Sequence, residues 1–312
     1  MRISCLALLL AVLIQAAARA EDLFVNNVHG SDDSDGRMHA SQGELGGPVK
    51  TLTRALEIAR SGDRIVMADS GRPYRESVTL FGGRHSGRPG HPFVISGNGA
   101  VLEGSLPVPP KAWEHYRGDV FRFRPPRSAF AQLFLEGPPA LRRWLDASSG
   151  RLPQLAPREW SLADGMIYFR VDEGKLPADY GLQYAAFTVG VTLYEAHDVL
   201  IEDLTVQGFQ LDGINAHDCV TNCELVRVIS RGNGRAGIAV GGASSVQIEA
   251  SLVSDNGVAQ ILADGPSTTA IINTEIDSAS APALVHKTGK VFLDGRAIEG
   301  SLNDAPAPPG AQ

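Results

Sequence analysis

Beyond Val199 the apolar positions fall into register with one another. The segments "VLIEDLTVQGF", "TNCELVRVISR", "VQIEASLVSDN", "TAIINTEIDSA" and "VFLDGRAIEGS" align Ile201, Cys223, Ile248, Ile271 and Leu293 at spacings of 22, 25, 23 and 22 residues. Five residues after each comes a second apolar position: Val206, Val228, Val253, Ile276 and Ile298. After the next turn stand Ile214, Ile238, Ile261 and Leu284, spaced by 24, 23 and 23. Self-similarity at a fixed period constrains fold class more strongly than any local propensity. The unit is rich in β-branched residues, carries Gly-Asn and Asp-Asn turns, and has no helical period. A leucine-rich repeat would need its leucine and asparagine framework, and a propeller blade nearly twice the length. The expected class is all-β: a solenoid of short parallel strands, each coil about 4.8 Å from the next. Crossover preference assigns it the right hand, so the reading is a right-handed parallel β-helix.

The open ends of such a solenoid are exposed strand edges and need covers. In "TLTRALEIARSGD", Leu52, Ala55, Leu56 and Ala59 form one apolar helix face, and Gly62 follows as a stop. This predicts an N-terminal capping helix, with "DRIVMAD" as the first core strand and "PFVIS" and "AVLEG" continuing the coils. Gln210, Asn233 and Asn256 recur every 23 residues before a strand column, the pattern of an amide ladder. Between Ser105 and Phe187 the period is lost, and 13 of the 20 aromatic residues cluster there. Alternation in "DVFRFR", "QLFLEG" and "MIYFRV" predicts a small antiparallel β-rich insertion. The organisation is therefore a signal over 1–20, cap and first coils over 21–104, insertion over 105–187, coils over 188–300 and a flexible tail over 301–312.

Composition sets the compartment and excludes some partners. Arg2, the apolar run "CLALLLAVLI" and "AAARA" read as a cleaved export signal, too short to span a bilayer. The expectation is a secreted or periplasmic monomer with no membrane span. Without Arg2 and Arg19 the chain keeps 26 basic and 35 acidic residues, which argues against a nucleic-acid partner. Cys219 and Cys223 remain in "CVTNC"; a bridge between them needs a bulge, since residues four apart on a strand lie roughly 13 Å apart.

The segments "LFVNNVHGSDDSDG", "GPVKTLTRALEIARSGDRIVMADSGRPYRE", "HPFVISGNGAVLEG" and "HDVLIEDLTV" resemble secreted bacterial right-handed β-helix proteins of the pectate-lyase-like superfamily. The resemblance covers most of the mature chain. It implies a partner in extracellular polysaccharide, often acidic, while lyases, hydrolases, epimerases and non-catalytic proteins all use this scaffold. Asp212-Gly213 in "QLDGINAHD" resembles the Asp-Gly of polygalacturonases, but Arg235 and Ala236 stand where the next coil should bring an aspartate pair. Inverting hydrolysis needs two carboxyl groups, so that chemistry is incomplete.

β-Elimination on a uronate needs a base and a cation to stabilise the enolate-like charge. Counting along the coils, His217, Gly241, Asp264 and Lys287 share one site, and Arg235 lies beside Asp212. The candidate catalytic residues are His217, Arg235 and Asp212, with His217 the side chain that titrates near neutrality. Candidate substrate contacts are Asp264 and Lys287, Arg84 in the loop "FGGRHSGRPGH", and Trp144 as a stacking surface. Each has a structural alternative: Asp212 as a turn residue, Asp264 with Lys287 as a solvated ion pair, the Arg84 loop as a mobile connection, and Trp144 as insertion core. "GSDDSDG" raises Ca²⁺ as a possible cofactor but lacks the closing glutamate of an EF-hand loop. Two readings stay open: a lyase on acidic polysaccharide, and a non-catalytic carbohydrate-binding or surface module.

Overall fold

The computed structural model describes residues 20–43, 45–146, 148 and 150–302. Nearly all of the predicted export signal and of the predicted tail lies outside the described residues. Three walls of parallel strands enclose one apolar core, in the geometry of a right-handed parallel β-helix. The nine-stranded wall runs from Asp22–Val25 through Arg64–Met67, Phe93–Ser96, His197–Glu202, Thr221–Val226, Ser245–Glu249 and Thr268–Ile272 to Lys290–Leu293, where Arg296–Ile298 folds back antiparallel. The six-stranded wall stacks Val78–Phe81, Val191–Tyr194, Asp212–His217, Ala236–Val240, Ala259–Ala263 and Leu284–His286. The five-stranded wall stacks Val101–Glu103, Thr205–Gln207, Ile229–Arg231, Leu252–Ser254 and Glu275–Ile276.

Two of the three expected columns need correction. Ile201 pairs with Leu225, which continues to Ile248, Ile271 and Leu293, at spacings of 24, 23, 23 and 22. Cys223 stacks instead between Val199 and Val246. Val206 pairs with Ser230 where Val228 was expected, and Ile298 lies in the terminal hairpin opposite Val291. A slip of two residues leaves a side chain on the same face of a strand, so hydrophobicity alone does not separate these registers. The third column is as expected, and it extends upward through Val191 to Val78.

One corner is made by a single left-handed residue per coil: Asp203, Arg227, Ala250, Asn273 and Asp294, with φ between 44° and 52°. Each non-glycine residue there costs roughly 1 kcal/mol or more. The cost is offset because the corner amides of Asp203, Arg227 and Ala250 donate to the next coil, to Val226, Glu249 and Ile272. At another corner Asn233 Nδ2 donates to Asn256 Oδ1 at 3.0 Å, and that oxygen also accepts the Asn233 amide. Gln210 leaves this ladder and donates to the Ala129 carbonyl in the insertion.

The first core strand is Asp22–Val25, with "DRIVMAD" supplying the second; they pair in register from Asp22 against Arg64. Between them the helix Leu52–Ile58 buries Leu52, Ala55 and Leu56 over the end of the core. Its start is well capped: Thr51 Oγ1 accepts from Arg54, Asp32 from Lys50 and Thr51, and Glu76 from Leu52 and Thr53. The chain from 105 to 187 forms two antiparallel sheets around Trp160, Phe169, Phe123 and Leu133, then re-enters the coils at Val191–Tyr194.

Candidate functional site

The outer face of the six-stranded wall carries three of the seven expected residues, His217, Asp264 and Lys287, because alternate side chains of each strand must point away from the core. Ile214 and Ala216 point inward, so Asn215 and His217 point out. His217 sits over Tyr194, and Tyr194 over Phe81, in strict register. The ring centroids are 5.3 and 6.2 Å apart and edge-to-face. Phe81 is 55% exposed, while Tyr194 and His217 are half-buried. His217 Nδ1 lies 2.9 Å from Asp218 Oδ2, which leaves its Nε2 outward. The Glu195 and Asp218 carboxylates hold the Tyr194 phenol above its usual range. On later coils the same position reads Gly241, Asp264 and Lys287, with Lys287 Nζ 3.3 Å from Asp264 Oδ2. Both ends of that pair are about half exposed, so it is a solvated ion pair of little energetic weight.

Asp212 and Arg235 do not join this stripe. Asp212 is fully buried, takes two contacts from the Arg235 guanidinium, and accepts from Asn215 Nδ2 at 2.7 Å. The bond to Asp212 is also the main cause holding the Arg235 guanidinium above its usual range. Ala236 pairs with Asp212, while His217 is five residues further along the strand. At about 3.3 Å per residue that separation is roughly 16 Å, so His217 and Arg235 cannot address one sugar ring. Gly213 explains the motif around Asp212: a Cβ there would stand 2.2 Å from Ser230 Oγ and 2.8 Å from Asn233 Nδ2. "QLDGINAHD" is thus shaped by the amide ladder and a buried ion pair.

The remaining candidates are dispersed. Arg84 turns back onto the capping helix, its guanidinium donating to the carbonyls of Glu57 and Ala59 in the last turn, so it acts as a helix C-cap. Trp144 is 38% exposed in the insertion, in a cleft whose lining includes neither Arg84 nor the residues of the stripe. In "GSDDSDG", Asp32 and Asp35 spend their oxygens on the amides of Lys50, Thr51 and Arg37 and do not converge on a cation. Cys219 and Cys223 are both free, and burial pushes the Cys223 thiol up to about 12. Phe81 and Tyr194 escaped sequence reasoning, although they close two matching tetrapeptides, "VTLF" and "VTLY". That match is a coil repeat interrupted by the whole insertion.

Residues 184–300 match the family model described as a right handed beta helix region. This stretch is a right-handed β-helix. No curated protein matches the chain. Among solved structures the chain is similar to a glycoside hydrolase, at 13% identity and a TM-score of 0.54, over 81% of this chain and 74% of that one. It also aligns with XylC in complex with xylose, at 14% identity and a TM-score of 0.43, covering 87% and 69% of the two chains. Pectate lyase Pel9A aligns at 10% identity and a TM-score of 0.44, covering 88% and 62%. At 13% identity the likeness to the glycoside hydrolase is one of fold. Among the described residues no helix is long and apolar enough to cross a membrane.

Proposed function

We propose that this protein is an exported β-helix that binds extracellular polysaccharide along the outer six-stranded wall, with Phe81, Tyr194 and His217 as the stacking surface. The observation that carries this reading is an aromatic ring at one outward position on three successive coils, one of them 55% exposed. Outward positions on a solenoid are polar by default, and an exposed aromatic row needs an apolar partner. The coil spacing of about 4.8 Å is comparable to the length of one pyranose residue, whose C–H face packs against aromatic rings. The glycoside hydrolase that shares the fold is in keeping with a carbohydrate ligand.

Binding is favoured over elimination because Arg235, the side chain expected to supply the cation for elimination, is tied up beside Asp212. A catalytic second reading rests on His217 alone: Asp218 orients its Nδ1, the arrangement that prepares Nε2 as a base. Affinity electrophoresis in pectin, alginate, hyaluronan and a neutral glucan separates the two. Removing an exposed ring forfeits about 50 Å² of apolar contact, about 1.3 kcal/mol or tenfold in affinity. Phe81→Ala and Tyr194→Ala should each weaken retention by about that factor, with no absorbance from unsaturated uronate. Retention unchanged in both variants would remove the stripe from function. Unsaturated product lost in His217→Ala would establish the lyase reading instead.

A further inference from the structure

A cleft of 880 Å³ separates the insertion from the corners of the coils. Arg142 and Trp144 line it from the insertion side, Asp255 and Asn256 from the coil side, with Gln132 between them. The Arg142 guanidinium is stacked on Trp144, 3.6 Å from the ring centroid, with the ring of Trp160 4.9 Å away on the core side. This clamp holds a planar cation in one orientation at small entropic cost. Neighbouring Arg143 is neutralised by Glu159, at 2.7 Å. Arg142, by contrast, has no carboxylate partner among the described residues, and its Nε is buried with no hydrogen-bond acceptor. Burial without a counter-charge pushes its pKa down to about 10, so it stays protonated at neutral pH. The Nε itself is closed to the cleft, so the rest of the half-buried guanidinium, lining the cleft with no counter-charge among the described residues, is the part that would meet an anionic acceptor.

We propose that this cleft is a second glycan subsite, in which Arg142 binds an anionic sugar substituent, a carboxylate or a sulfate ester, while the sugar ring packs on Trp144. The site is separate from the aromatic stripe and rests on the carbohydrate reading above only for the ligand class. Trp144, 38% exposed, offers the face that Arg142 leaves free. Gln132, only 9% exposed, makes no side-chain hydrogen bond to the described residues and is placed to take a ring hydroxyl. The insertion would thus add charge selectivity to the solenoid, since the outward cations Arg64 and Lys287 are already paired with Glu202 and Asp264.

The test titrates the full chain with tetragalacturonate, its methyl-esterified form, galactotetraose and sulfated galactotetraose. Calorimetry gives affinity, and tryptophan fluorescence reports the site, since Trp144 is exposed and Trp160 is not. The parent should prefer a charged tetramer over its neutral counterpart by at least about tenfold at low salt. The carboxylate and sulfate arms identify which substituent is taken. Arg142→Gln should bring the preference within about twofold, and Arg142→Lys should restore part of it. Trp144→Ala, at an exposed position, should weaken all tetramers and abolish the quench without affecting folding. A preference retained in Arg142→Gln, equal affinity of the parent for charged and neutral tetramers, or no binding of either charged tetramer would overturn the assignment. Phe81→Ala separates the two readings. If it leaves polymer retention intact while Arg142→Gln loses the charge preference, the stripe fails and the cleft stands.

Discussion

Replacing Arg235 by alanine distinguishes a structural ion pair from a catalytic one. Asp212 has no exposed surface, and Arg235 supplies two of the three donors its carboxylate meets. Removing one partner of a buried pair costs about 3–5 kcal/mol, because the remaining charge is left without compensation. The Arg235 side chain is 30% exposed, so water can enter the vacated space, and the lower end of that range applies. At about 2–4 °C per kcal/mol for a domain of this class, a loss of about 3 kcal/mol in Arg235→Ala should lower Tm by roughly 6–12 °C. Asp212→Ala should cost less, since Arg235 can turn toward solvent. The double variant should be less destabilised than the sum by about 2 kcal/mol, measured by chemical denaturation in a double-mutant cycle. Polysaccharide retention by the folded variants should stay within twofold of the parent. A Tm unchanged within 2 °C, together with lost retention or turnover, would refute the reasoning and return Arg235 to the binding surface.

Two further predictions concern the capped end. His85 is buried, with Nδ1 accepting the Phe81 amide and Nε2 facing the Leu56 carbonyl, each at 3.0 Å, so its partners require the neutral Nε2–H tautomer. Burial, its main cause, depresses the His85 pKa, so its stabilisation is complete above the unfolded value of about 6.5 and is lost as pH falls below it. Thermal melts between pH 7.5 and 5 should therefore show a steeper decline for the parent than for His85→Gln; parallel curves would exclude this origin. Leu56→Asp places a charge on helix surface that is only 5% exposed, at a cost of several kcal/mol. Thermal melts and gel filtration should show a Tm lower by 10 °C or more, or self-association through the uncovered strand edge, and a parent-like variant would mean that the helix is not the cap.

How legible the molecule was from its sequence depended on the distance over which each pattern had to be read. The columns after Val199 sit one coil apart, so period alone revealed the solenoid, and the Asn233–Asn256 ladder followed from the same count. Register within a strand was less visible, because a two-residue slip keeps Cys223 and Leu225 on the same buried face. The short strand Asp22–Val25 was missed because its partner, Arg64–Met67, lies beyond a loop and a helix. Side-chain roles were the least legible. Arg84, Arg235 and Arg142 are alike in sequence, yet the first caps a helix, the second neutralises a buried carboxylate, and the third is stacked against tryptophans with no counter-charge among the described residues. Phe81 and Tyr194 are 113 residues apart in the chain and adjacent in the wall. Sequence determined the architecture because backbone pairing repeats with every coil and leaves a periodic trace. Only tertiary structure decided the candidate sites, because the charges and rings that meet there come from separate coils and from the insertion, and no local pattern records which of them meet.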